Sequence, residues 1–227
     1  MLSPYPVFPV PPASPEHGML PAVYAVRIPS GIDLRDAFEW LGAEDAARSA
    51  RIASATRRAQ FVTGRWLLRH AADELIGAGR YALRTVDERP VLSHVDGAPA
   101  AASLSHSGDQ VLCAVGRTRA LGVDIERVRP RADWSGLAEW ALHAKEKDRI
   151  EASGRRWEAF YEVWTLKEAR AKALGVGVFG LPFRRMVLSE DGRIDEAPAE
   201  CGIDADAWQL RRLDCGAGLA AAVAWHS

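Results

Sequence analysis

At 227 residues the chain can bury one core or two small ones. Its 48% hydrophobic and 26% charged residues are ordinary for a globular protein, and a net charge of -1 argues against broad electrostatic binding of nucleic acid. Cys113, Cys201 and Cys215 are odd in number and irregular in spacing, which argues against a disulfide framework or a zinc motif and points to a reducing cytoplasm.

In chain order, residues 1–20 read as a proline-rich arm, loose or docked on a surface. The arm lacks the basic start and continuous apolar stretch of a signal peptide, and no apolar run in the chain is long enough to span a bilayer. AVYAVRI, 22–28, alternates as a strand. Residues 45–77 read as one helix carrying Arg51, Arg57, Arg58, Arg65 and Arg69. YALRTVDERPVL reads as a strand that breaks into a loop at Pro90. SLSHS reads as a strand, and QVLCAVG and LGVDIERV as a hairpin with RTRA as its turn. WSGLAEWALHAKEKDRIEAS is a candidate helix, and RRWEAFYEVWTLKEARAKALG is a second one ended by Gly175. A turn is expected at Asp191-Gly192, and WQLRRLDCGAGLAAAVAW closes the chain as a hairpin. The order of elements repeats, which suggests a duplicated α+β unit: a half at 21–118 and another at 119–227.

Lysine is scarce: it stands only at 145, 147, 167 and 172. Two of these positions fall in FYEVWTLKEARAKALGVG, where Glu168 and Lys172 share a helix face at i,i+4. A solvated ion pair and a catalytic face both fit that spacing. In LGVDIERV, Asp124 and Glu126 point to one side of a strand. Their repulsion calls for an arginine or a divalent cation between them. Ser103, Ser105 and Ser107 alternate around His106, as a polar turn or a phosphate holder. No G-x-S-x-G elbow, P-loop or G-x-G-x-x-G is present.

Taken together, GRWLLR, RTVDERPVL, SLSHS, GVDIE and WTLKEARAK, in that order, resemble the 4′-phosphopantetheinyl transferases of the Sfp type. The resemblance implies an α+β fold of two similar halves in pseudo-twofold duplication, with the active site in the cleft between them. It implies transfer of the phosphopantetheine arm of coenzyme A to a serine of an acyl or peptidyl carrier protein, with release of adenosine 3′,5′-bisphosphate. By the match, Asp124, Glu126 and Glu168 hold Mg²⁺, with Mn²⁺ as a substitute. Glu168 takes the proton of the carrier serine and Lys172 meets the departing phosphate. Coenzyme A is contacted by Arg51, Arg84, Arg89, Ser105, His106, Asp124, Lys167 and Lys172. Arg48 or Arg58 are alternatives to Arg51. Glu88 and Ser103 depart from the family pattern, which often has Gly and Asn there. The expected protein is a cytoplasmic monomer with no nucleic-acid or membrane partner. Two rival readings are a non-catalytic module that binds coenzyme A or a carrier, and a serine hydrolase that a fluorophosphonate probe would label.

Overall fold

A computed structural model describes residues 8–9, 21–30, 41–86, 89–197 and 208–226. These fall into two compact units that change over between Arg117 and Thr118.

The first unit begins with a short strand β1 (Phe8–Pro9) and β2 (Ala22–Arg27). Helix α1 (Ala43–Arg51) follows, then α2 (Ala55–Leu75). The single helix expected over 45–77 is therefore two. Ser54 caps α2 by accepting the Arg57 amide at 3.3 Å, which stops the first helix and starts the second. Strands β3 (Tyr81–Val86) and β4 (Arg89–His94) pair antiparallel. Pro90 therefore lies inside a strand rather than breaking one. Its ring costs nothing where the ladder needs no N–H from that residue. Strands β5 (Ala101–Ser107) and β6 (Gln110–Gly116) complete the unit. The main sheet has the order β1-β2-β6-β5, entirely antiparallel. The long helix α2 lies on this sheet and buries Leu67, Leu68, Ala71 and Ala72 against Val26, Val111 and Val115. The arm at 1–20 contributes the β1 pairing; the rest of it lies outside the described residues.

The second unit opens with β7 (Leu121–Arg127). Its ladder partner is β11, not β6, so the hairpin expected across RTRA does not form. Helices α3 (Trp134–Ala141), α4 (Ala144–Ala152) and α5 (Arg156–Ala173) come next. Here again one expected helix is two. The break falls at His143, whose amide donates to the Glu146 carboxylate at 2.9 Å while its own ring accepts the Lys145 amide at 3.3 Å. This is a capping box, and it starts α4 as a separate helix. Two short 3₁₀ turns at Val178–Gly180 and Phe183–Arg185 lead to the small ladder of β8 (Val187–Leu188) and β9 (Ile194–Glu196). The turn between them places Gly192 at φ +84°, where a side chain would strain the backbone. The closing hairpin is β10 (Trp208–Leu213) with β11 (Leu219–His226), giving the sheet order β10-β11-β7. Helix α5 packs on β7 and β11 and carries the core through Phe160, Tyr161, Leu166 and Ala169. Among the described residues no helix is long and apolar enough to cross a membrane.

Candidate active site

The strand–helix contact in the second unit begins with a glycine. A methyl group on Gly122 would stand 1.9 Å from the Ala169 carbonyl oxygen and 2.5 Å from the Ala173 amide nitrogen. Only the absence of a side chain lets β7 approach the backbone of α5 this closely. Strand side chains alternate, so Gly122, Asp124 and Glu126 share one face. The same closeness carries Asp124 to α5, one turn along the helix from Glu168. Lys172 donates to Asp124 at 2.7 Å. The Asp124 side chain is almost wholly buried.

Glu168 is the perturbed group of this cluster. Its carboxyl is pushed up to about 7, first by burial, then by the charge of Asp124, and less by Glu126; Lys172 opposes the shift. A carboxyl poised near neutrality can hold or take a proton at working pH. The structure thus brings together Asp124, Glu126, Glu168 and Lys172.

Lys167 is not with them. Its side chain is fully buried and donates to Glu146 at 2.5 Å, to the Phe183 carbonyl at 2.8 Å and to the Ala141 carbonyl at 2.9 Å. The contact with coenzyme A expected of Lys167 is therefore overturned: all three ammonium hydrogens are spent inside the protein. Burial lowers its proton affinity, against the pull of Glu146.

Among the described residues no three acidic, histidine or cysteine side chains stand, as placed, close enough to hold a metal ion. The expected triad is thus gathered on one face but not closed. Its donor chemistry still suits Mg²⁺. The groups are all carboxylate oxygens, they carry excess negative charge, and the repulsion among them is expressed at Glu168.

In the first unit, Leu104 lies against Gly64 of α2. His106 shares that side of β5, and its Nε2 lies 3.1 Å from Nη1 of Arg57 in the first turn of α2. Ser105 points to the opposite side and is buried. Ser105 and His106 are therefore neighbours in sequence but not on one surface. Arg51 is the exposed last residue of α1, while Arg84 and Arg89 are exposed on β3 and β4. Arg58 turns back to donate twice to the Ile52 carbonyl, at 3.1 and 2.8 Å. Arg65 is buried and lies 3.3 Å from Asp45. Glu88 lies outside the described residues.

Comparison with known proteins bears on the same residues. A family model described as the 4′-phosphopantetheinyl transferase superfamily matches residues 120–224. The 4′-phosphopantetheinyl transferase AcpT of Salmonella typhi is 34% identical over 159 residues, covering 68% of this chain and 77% of that protein. The chain belongs to the 4′-phosphopantetheinyl transferase superfamily. Another relative, the 4′-phosphopantetheinyl transferase HetI of Nostoc sp., is 29% identical over 199 residues, covering 84% of this chain and 81% of that protein. A crystal structure of the Thermotoga maritima holo-[acyl-carrier-protein] synthase aligns with 24% identity and a TM-score of 0.38 over 48% of this chain and 62% of that one, and adds nothing to the assignment. The segment that matches the transferase superfamily runs from β7 through β11 and so contains the whole acidic face.

Sequence reasoning missed three residues that build this unit, of which Gly122 borders that face. Gly122 looks like any glycine in an apolar strand. Glu146 was read into the middle of a helix, although its position three residues after His143 is a capping spacing. Arg170 is fully buried with its guanidinium 4.7 Å over the Trp208 ring, and nothing in the local pattern separates it from the exposed arginines.

Proposed function

We propose that the protein transfers the 4′-phosphopantetheine arm of coenzyme A to a serine of an acyl or peptidyl carrier protein, with Mg²⁺, as a cytoplasmic transferase of the Sfp type. One observation carries this reading: Glu168, held near neutrality beside Asp124 and Glu126, with Lys172 bonded across at 2.7 Å. A base, a carboxylate pair and a cation suit displacement at a pyrophosphate.

Glu168 takes the proton of the carrier serine hydroxyl as its oxygen attacks the phosphorus that bears the pantetheine arm. The bond from that phosphorus to the bridging oxygen breaks, and adenosine 3′,5′-bisphosphate leaves with the electron pair. Lys172 sits on Asp124 until substrate arrives, then meets the charge that grows on the leaving phosphate. Asp124, Glu126 and Glu168 would hold Mg²⁺, which supplies positive charge against the pyrophosphate. His106 and Arg57, with Arg51, Arg84 and Arg89, are the residues we assign to coenzyme A in the first unit. The two units are read as copies of one plan, a long helix over an antiparallel sheet, and the protein as a monomer.

The test is the intact mass of an apo carrier protein incubated with this protein, coenzyme A and Mg²⁺. A gain of one phosphopantetheine, abolished by EDTA and by Glu168→Ala, is the expected result. Bound coenzyme A with no gain on several carriers would favour a non-catalytic binding module instead.

A further inference from the structure

Lys167 and Glu146 form an ion pair with no solvent exposure on either side chain. Every polar atom of the pair is engaged. The Lys167 ammonium holds Glu146 and the carbonyls of Ala141 and Phe183. Glu146 accepts in addition from the amides of His143 and Leu188, each at 2.9 Å. One pair therefore ties together the end of α3, the start of α4, the middle of α5, the 3₁₀ turn at Phe183 and strand β8. A buried ion pair rarely stabilises more than well-packed apolar residues of the same size. Its net contribution to stability is thus a weak reason for its presence, and its geometry a stronger one.

Lys167 directly precedes Glu168 on α5. Successive helix residues are separated by about 100° around the axis. Fixing Lys167 on one side at three points therefore fixes the rotation of the helix, and with it the directions, about 100° and about 140° round the axis, in which Glu168 and Lys172 leave the side that faces Asp124. On that side Gly122 allows close approach but supplies no directional bond. We infer that Lys167 and Glu146 are positioning residues for the transferase site: they set the angle at which α5 presents Glu168 and Lys172 to Asp124. The inference rests on the assignment of that face as the reaction site.

The test is the double variant Lys167→Met/Glu146→Leu, which removes both charges and keeps the volume. It is expected to melt below wild type, because the amides of His143 and Leu188 and the carbonyls of Ala141 and Phe183 lose their side-chain partners, so activity is divided by the folded fraction. Its turnover is expected to fall about 10- to 100-fold, since misplacement of about 1 Å costs that much. Its KM for coenzyme A is expected to stay within about threefold, because neither residue touches substrate. Its affinity for Mn²⁺, read by electron paramagnetic resonance, is expected to weaken about tenfold from the misaimed Glu168. A double variant with wild-type turnover and Mn²⁺ affinity per folded molecule overturns the inference. If the double variant is unfolded at the assay temperature, Lys167→Met is assayed in the cold, with activity divided by the folded fraction. Wild-type activity per folded molecule then overturns it equally. A wild-type protein that loads no carrier would defeat the transferase reading itself, and the Mn²⁺ comparison would still decide whether the pair aims Glu168.

Discussion

Gly122→Ala tests the strand–helix contact directly. The added carbon would lie 1.9 Å from the Ala169 carbonyl oxygen. A tolerable carbon–oxygen contact is about 3.3 Å, so β7 and α5 must part by about 1.4 Å. Both partners are backbone, so no side chain can turn aside. Overpacking of this kind costs about 3 kcal/mol. For a protein of this size that lowers Tm by about 6–12 °C. The same displacement carries Lys172 and Glu168 away from Asp124, and turnover is expected to fall about 100-fold. Circular-dichroism melting and carrier loading followed by mass measure the two effects. The control is Gly177→Ala: that glycine has φ -74° and open space around it, so melting and loading are expected to stay at wild-type values. If Gly122→Ala and Gly177→Ala melt and load alike, the close approach of β7 to α5 is not what builds the site.

Three further outcomes are expected. The folded value of Glu168, about 7, lies above its ordinary 4.5, so in metal-free protein its contribution to stability is complete below pH 4.5 and is lost as pH rises through 7. Melting of EDTA-treated wild type against Glu168→Gln should therefore show the variant gaining on wild type across that window, and parallel curves would contradict the burial argument. Lys172→Met leaves Asp124 buried without its 2.7 Å ammonium partner, which should cost about 1–3 kcal/mol in urea unfolding and lower kcat at least about tenfold. Arg57→Ala should raise the KM for coenzyme A about tenfold with kcat nearly kept, as expected for loss of a charged contact to phosphate beside His106; an unchanged KM would remove Arg57 from the nucleotide site.

How much of this was legible in the sequence follows from what local pattern can encode. Asp124 and Glu126 share a face because strands alternate, and Glu168 and Lys172 share one because helices turn every 3.6 residues. Both relations survive in the structure. Spacing says which residues lie on one face, but not which face the rest of the chain will cover. Lys167 therefore looked like a neighbour of the site, while tertiary packing had enclosed it. The helix breaks at Ser54 and His143 were hidden because each lies in a run with helical periodicity on both sides. The pairing of β7 with β11 spans nearly a hundred residues, and no turn signal announces it, whereas the turn after Gly116 falsely announces a hairpin. Ser105 and His106, which the resemblance assigns together to coenzyme A, are adjacent in a strand, the relation that sends two side chains to opposite sides.

The enclosure of α5 has a consequence for how the protein fails. This helix carries the groups proposed to react, the centre of the hydrophobic core and the lysine of the buried ion pair. Opening it locally would expose a charged pair and a row of aromatic rings at once, so its amide protons should exchange only when the whole second unit opens. Activity and fold are then lost together: heating should abolish carrier loading along the same curve on which the unit melts, with no inactive but folded state before it.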